Sequence, residues 1–293
     1  MTRLRADFLL LLTALVWGAA FVGQSTAMEH LGPFTFTGIR FCLATLAVLP
    51  FAIAEGKSGP ALHRHQINPM LAVGLVFFIA SATQQVGLLA TTVTNAGFLT
   101  ALYVVFVPAV AFIALRQKLP FIVWPAAALS LTGTWFLGGG FDGLNWGDGI
   151  MVVSALFWAL QVILIGAVAK RSNRPITLAA IQFAVAAILS LIVAVIVETP
   201  SLHGMLTAWR ELLFTGLLSG GLGFTLQAIA QRHTPASDAA IIMSSEALFA
   251  ALFGMALLGE RLDTWGLLGC ALIFSAVLIV QLIPFWRQRK TKD

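Results

Sequence analysis

Apolar residues run along this chain in stretches of about twenty, each closed by a short cluster of glycine, proline or charge. Ten stretches can be read, at about 7–27, 34–54, 69–90, 95–115, 120–138, 147–169, 176–197, 209–231, 237–257 and 263–285. A helix that crosses lipid must satisfy every backbone N–H and C=O within itself, so a run of this length reads as one crossing. The breaks carry turn chemistry: Gly32-Pro33, the 55–68 stretch, Lys118-Leu119-Pro120, 138–149, 170–175, 198–204 and Thr234-Pro235. The pattern predicts an all-α integral membrane protein with ten transmembrane helices.

The first run follows Arg3 and Arg5, as the core of a secretory signal would. It is too long for one and lacks a small-residue cleavage site, so it is read as a retained first helix. No segment is polar or long enough for a separate soluble domain. No Gly-rich phosphate loop ending in Lys-Ser/Thr appears, so the chain offers no ATPase module.

Composition agrees with the pattern. Apolar residues are 59% and charged residues 10% of the 293, against about 25% charged in water-soluble domains. Cys42 and Cys270 both fall in apolar runs and read as inert buried thiols, with no disulfide framework or metal spacing. The net charge of +5 explains itself once the cations are placed. Lys and Arg are retained on the cytoplasmic side of a membrane. One set of alternate loops and ends holds Arg3, Arg5, Lys57, Arg64, Arg116, Lys118, Lys170, Arg171, Arg174, Arg232, Arg287, Arg289, Lys290 and Lys292; the other holds Arg210 and Arg261. The basic character is therefore a topology signal and not a nucleic-acid footprint. It predicts a multi-pass membrane protein with both termini cytoplasmic.

The chain also answers itself. At an offset of 143, Thr94-Asn95-Ala96 lies over Ser237-Asp238-Ala239, Gln84 over Gln227, and Lys118-Leu119 over Arg261-Leu262. At 141–142, Ala14-Leu15-Val16-Trp17 lies over Ala155-Leu156-Phe157-Trp158, and Pro33 and Phe41 over Pro175 and Phe183. Residues 1–140 and 141–293 are thus expected to be two five-helix repeats. An odd number of crossings inverts the second copy, and inverted repeats characterise secondary transporters with a site near the midplane.

These features resemble the drug/metabolite transporter superfamily in its EamA-type ten-helix form. The likeness rests on Trp17-Gly18, on Arg40-Phe41 with Ala44, and on Leu258-Gly259-Glu260-Arg261-Leu262. Glu246-Ala247-Leu248-Phe249-Ala250-Ala251 looks like the family's Glu-Pro-x-x-Ala-Ala with alanine in place of proline. The first copy departs, with Gln117-Lys118-Leu119 where Glu-Arg-Leu is usual. Within the family the chain is similar to bacterial amino-acid exporters, the aromatic type included.

Ionisable groups inside spans are few. All six Asp, all five His and five of the six Glu lie near helix ends or in loops, leaving Arg40 and Glu246 well inside. An intramembrane aspartyl protease needs two buried carboxylates sharing a proton. A Ser-His dyad needs an interior base, and a metalloprotease needs histidine ligands at helical spacing. None of these is present, so neither enzyme, metal nor cofactor is expected. No carbonyl-filter motif or charge ring supports a channel.

The remaining polar residues form stripes. Thr13, Trp17 and Gln24 share a face of the first helix, and Ser154, Trp158 and Gln161 share one of the sixth. We expect a central cavity lined by Trp17, Gln24, Arg40, Phe78, Gln84, Gln85, Tyr103, Trp158, Gln161, Ser244 and Glu246, with Pro108, Gly220 and Gly221 as hinges. Arg40 suits a carboxylate, and Glu246 suits an ammonium or a proton. Packing alternatives stay open. The tryptophans could be packing residues, Gln and Ser could bond neighbouring helices, Arg40 could snorkel outward, and Glu246 could pair with Arg40.

The expected activity is export of aromatic or neutral amino acids, or similar metabolites, by alternating access, facilitative or proton-coupled. The partners are then a small solute, the bilayer and, in the coupled case, protons, with the protein a monomer or dimer. Export of other metabolites or amphipathic drugs is the second reading, and a non-transporting receptor or scaffold the third.

Overall fold

The computed structural model describes residues 1–58, 62–113, 116–117, 119–137, 145–259 and 261–290, with side chains to residue 280. Among these residues there are helices and turns and no strand. In chain order the long helices are α1 (Arg3–Ala27), α2 (Pro33–Ser58), α3 (Arg64–Gly87), α4 (Val93–Ile113), α5 (Val123–Leu137), α6 (Trp146–Ser172), α7 (Pro175–Val197), α8 (Trp209–Ala230), α9 (Ala236–Leu258) and α10 (Thr264–Lys290). Among the described residues, all but α5 and α10 are long and apolar enough to cross a membrane, which makes eight. Helix α5 has 15 residues, and α10 is apolar over Thr264–Val280; the two pack along each other. The expected repeat boundary at 140/141, Lys118, Glu260 and Lys292 lie outside the described residues.

Local chemistry sets the helix ends. The Asn145 side chain accepts from the Gly147 and Asp148 N–H groups at 2.7 and 3.2 Å, while the Asp148 carboxylate accepts from the Asn145 N–H at 2.8 Å. That reciprocal box fixes the start of α6. Gly259 closes α9 in the left-handed region at φ +71°, which gives the Leu-Gly-x-Arg-Leu motif a physical meaning. Arg116, 143 residues earlier, takes the same conformation at φ 51°. The first copy thus keeps the turn at a cost of roughly 1–2 kcal/mol for a side chain in that region.

The packing obeys a two-fold relation. Helix α2 packs along α7 and α5 along α10, each against its own repeat equivalent. Helix α3 packs on α6 as α8 does on α1, and α1 packs on α9 as α4 does on α6. Two carboxylates make the inversion explicit. Glu198, at the end of α7, accepts from the Phe34 and Thr35 N–H groups at 2.8 Å each and from the Thr35 hydroxyl, at the start of α2. Glu55, near the end of α2, accepts from the Ile176 and Thr177 N–H groups at 3.2 and 2.7 Å and from the Thr177 hydroxyl, at the start of α7. Each helix therefore caps the N-terminus of its antiparallel counterpart, satisfying orphan N–H groups and complementing the helix dipole.

Three helices are irregular where continuous apolar runs predicted regular ones. Helix α4 is interrupted at Leu102, and α9 at Ser244-Ser245, where the two hydroxyls donate to the Ile241 and Ile242 carbonyls at 2.7 Å and so stand in for backbone donors. The two interruptions are equivalent positions of the two repeats. In α8, residues Phe214–Phe224 form a π-helix, a form that is rare and concentrated at functional sites.

Candidate functional site

A narrow cavity lies where the irregular helices meet, well short of the roughly 300–1,000 Å³ usual for small-molecule sites. Of the residues expected from sequence, Trp17, Gln24, Arg40, Gln84, Tyr103, Trp158, Gln161 and Glu246 line it. They come from α1, α2, α3, α4, α6 and α9. Tyr103 and Glu246 each begin the second half of an interrupted helix, the arrangement that places binding groups at mid-membrane in transporters.

Three expected residues stand outside the lining. Gln85 is buried and donates to the Gln24 carbonyl at 3.1 Å. Ser244 shares a 2.9 Å hydrogen bond with Ser130 of α5, because the α9 interruption turns it away. Phe78 is half-buried beside the core, and Phe77, about 100° around the helix, carries the aromatic contacts instead. Sequence reading missed Phe21, Thr100, Val162 and Phe224, and did not name Ser219 and Gln227 among the expected lining residues. The offset of Gln84 to Gln227 was the available signal for Gln227. An apolar residue in an apolar helix, such as Phe224, offers none.

Arg40 does not snorkel. It is 4% exposed and is held by neutral oxygens: Nε donates to the Thr215 carbonyl at 3.3 Å, Nη1 to Gln24 Oε1 at 2.7 Å and Nη2 to Ser219 Oγ at 3.0 Å. Its guanidinium also lies 4.9 Å from the Phe41 ring centre. Neither Arg40 nor Glu246 forms an ion pair among the described residues, so the pairing alternative is not realised. Glu246 is 3% exposed. Its Oε1 and the Tyr103 hydroxyl have no partner at hydrogen-bond distance, although the two side chains are close enough to interact. Trp158 Nε1 is likewise buried and without a partner. A cation and a carboxylate thus face one cavity, with unspent hydrogen-bonding capacity around them.

The π stretch of α8 positions this set. Its Thr215, Ser219 and Gly223 carbonyls, four residues apart, accept from Arg40 Nε, from Trp17 Nε1 at 3.2 Å and from Thr13 Oγ1 at 3.3 Å. A Cβ on Gly223 would stand 2.7 Å from Trp17 Nε1, so glycine is what lets the indole reach the backbone. The expected hinges Gly220 and Gly221 lie within this stretch. Pro108 lies inside the second half of α4, six residues beyond its interruption. Elsewhere in the lining, Gln161 bonds Gln182 and Gln227 at 3.1–3.3 Å; Gln182 is the repeat equivalent of Arg40.

Each end of the bundle carries a buried aspartate across the seam between repeats. On the face that holds the N-terminus, Asp7 of α1 accepts from Thr234 at 2.7 Å, and Arg3 bridges Asp7 at 3.5 Å and Asp238 of α9. On the opposite face, Asp148 of α6 accepts from Thr91 at 2.8 Å and from Asn95 of α4 at 3.2 Å. The two groupings are the same positions in the two repeats.

Comparison with known proteins agrees with this architecture. The EamA-like transporter family matches twice, over residues 4–139 and 145–282. An uncharacterized transporter of Archaeoglobus fulgidus is 35% identical over 96% of this chain and 87% of its own length. The uncharacterized transporter YwfM of Bacillus subtilis is 24% identical, covering 97% of this chain and 95% of its own. The uncharacterized inner membrane transporter YedA of Escherichia coli is 25% identical over 92% and 88%. A solved crystal structure with no stated activity shares the fold at a TM-score of 0.78 and 15% identity, over 95% of this chain and 99% of the other.

Proposed function

This chain belongs to the EamA-like transporter family, and from that premise we propose that its cavity carries an amino acid, aromatic or neutral by preference, outward across a bacterial inner membrane. The carrying observation is Arg40, a buried cation that lines the cavity, is held by neutral oxygens and pairs with no carboxylate among the described residues. Burying a charge with neutral acceptors alone is costly, and a solute carboxylate would complete the balance in a bidentate pair. Glu246, with Tyr103 beside it, would receive the solute's ammonium group. Trp17, Trp158 and Phe224 supply the apolar wall. With α5 and α10 counted as crossings, the helices number ten and both termini are cytoplasmic.

The two aspartate groupings would be the closures of alternating access. Both are made in this structure. Opening one while the other holds is the same movement performed by inverted copies. Asp148→Ala is expected to raise, about tenfold or more, the rate at which an impermeant maleimide from the outer side labels Thr100→Cys, in a background with Cys42 and Cys270 replaced by alanine. The magnitude follows from removing hydrogen bonds to a charged group, worth about 1.5–3 kcal/mol each. Equal labelling with and without the Asp148 change counts against the closure.

Counterflow in proteoliposomes tests the activity itself. Labelled phenylalanine or leucine is expected to accumulate against unlabelled amino acid, while cationic drugs and nucleotide sugars exchange poorly. Exchange of drugs without amino acids would favour the amphipathic-drug reading, and inert vesicles holding folded protein would favour a receptor or scaffold. If exchange responds to a pH gradient, Glu246→Gln is expected to abolish that response; a retained response places the proton on another group.

A further inference from the structure

Phe224 closes the π stretch of α8 and is 3% exposed. Its ring stacks on Trp158 with centres 5.5 Å apart and planes 12° apart, and it packs on Trp17 at 4.3 Å and 41°. Phe77 meets it edge-on at 4.7 Å and 89°. The phenyl group therefore stands between the two indoles that the repeat places at equivalent positions. Beside it, Trp158 Nε1, Tyr103 Oη and Glu246 Oε1 line the same cavity without partners. A hydrocarbon ring fills space but cannot answer a buried hydrogen-bond donor, and leaving such groups unanswered costs free energy. The slot is filled by volume and not by chemistry.

Phe224 also stands at an irregular point of its helix. It sits where the π-helix returns to α-helix at Thr225, just after Gly220, Gly221 and Gly223. A π turn holds an extra residue relative to an α turn, so relaxing one such turn rotates the downstream end of the helix by about 100°. That rotation would carry the ring from between the indoles and loosen the carbonyls that hold Arg40 and Trp17.

We propose that Phe224 is the specificity-determining plug of the carrier: in the empty protein it occupies the subsite of the solute's apolar side chain, and its size sets the largest side chain admitted. The specificity part rests on the amino-acid reading above; the existence of the slot does not. In counterflow, Phe224→Ala is expected to raise the ratio of tryptophan to alanine exchange about tenfold, the scale of one or two methylene groups in an apolar pocket. Phe224→Trp should shift the ratio the other way, and Phe224→Leu, which conserves most of the packing, should fall between parent and Ala. A ratio that stays constant while all rates fall together identifies Phe224 as a packing residue and overturns the proposal. A second measurement reads the slot without transport. Indole is expected to raise the thermal midpoint of purified Phe224→Ala, as ligands do in apolar cavities left by truncation, and to leave Phe224→Trp unchanged. No midpoint shift in either Phe224→Ala or Phe224→Leu also overturns it. Parent protein that exchanges no amino acid, together with an indole shift in Phe224→Ala, ends the amino-acid reading and keeps the slot.

Discussion

Arg40→Gln is expected to lower counterflow of carboxylate-bearing solutes by on the order of 10²-fold while leaving thermal stability equal or higher. Truncating one partner of a buried, hydrogen-bonded charge pair costs about 2–5 kcal/mol, and each 1.4 kcal/mol is about tenfold in affinity. The stability part comes from the other side of the balance. Arg40 is a desolvated cation among neutral oxygens, so removing its charge relieves a penalty. Glutamine is tolerated at the same depth in the other repeat, where Gln182 occupies the equivalent position and bonds Gln161. Arg40→Lys should give an intermediate loss, since an ammonium keeps the charge but not the planar fork. A variant that loses its fold along with its transport would make Arg40 a structural residue, with Gln24 and Ser219 as its true ligands. Thermal melting and counterflow on the same preparation decide between them.

Gly18→Ala is expected to be strongly damaging, although it adds a single methyl group. A Cβ there would lie 2.4 Å from Phe249 Cβ and 2.8 Å from the Ala250 N atom and the Phe249 carbonyl carbon. Two of those three atoms are backbone, so no side-chain rotation relieves the clash and α1 must move away from α9. Between membrane helices, close packing replaces the hydrophobic drive that lipid cannot supply. Overpacking of this kind costs about 3 kcal/mol or more, and the displaced helix carries Trp17 and Gln24. Loss of monodisperse protein, or a large fall in thermal midpoint, is the expected readout. Gly149→Ala is the control. Nothing lies within 4 Å of its added Cβ, and a helical alanine is better than glycine by roughly 0.5–1 kcal/mol, so it should be neutral or stabilising. Equal behaviour of the two variants would remove the packing argument.

The acids at helix ends show the reach of sequence reading. Asp7, Asp148, Glu55 and Glu198 look alike in the sequence because each lies at a span boundary, where charges usually meet water. Yet Asp148 stands 141 residues after Asp7 and Glu198 stands 143 after Glu55, the same offsets that reveal the repeat. Carboxylates recurring in register are a legible signal that these ends meet other helices. The interruption of α4 offers no such sign, since Leu102 is as apolar as its neighbours. That of α9 falls on Ser244-Ser245, which reads equally well as a polar stripe.

Sequence by itself determined the apolar segments, the repeat, the family likeness and most of the polar cavity lining. Lipid imposes these one helix at a time: a span must be long and apolar, and a polar residue inside it must find protein or solute, so each constraint is written locally. Tertiary structure alone decided that Phe77 and not Phe78 meets the aromatic cluster, that Phe224 fills the place between the indoles, and that α8 widens into a π-helix to hold Arg40 and Trp17. Those outcomes depend on how close two helices come and on which carbonyl faces which donor. Such distances are set jointly by segments far apart in the chain, and no single stretch records them.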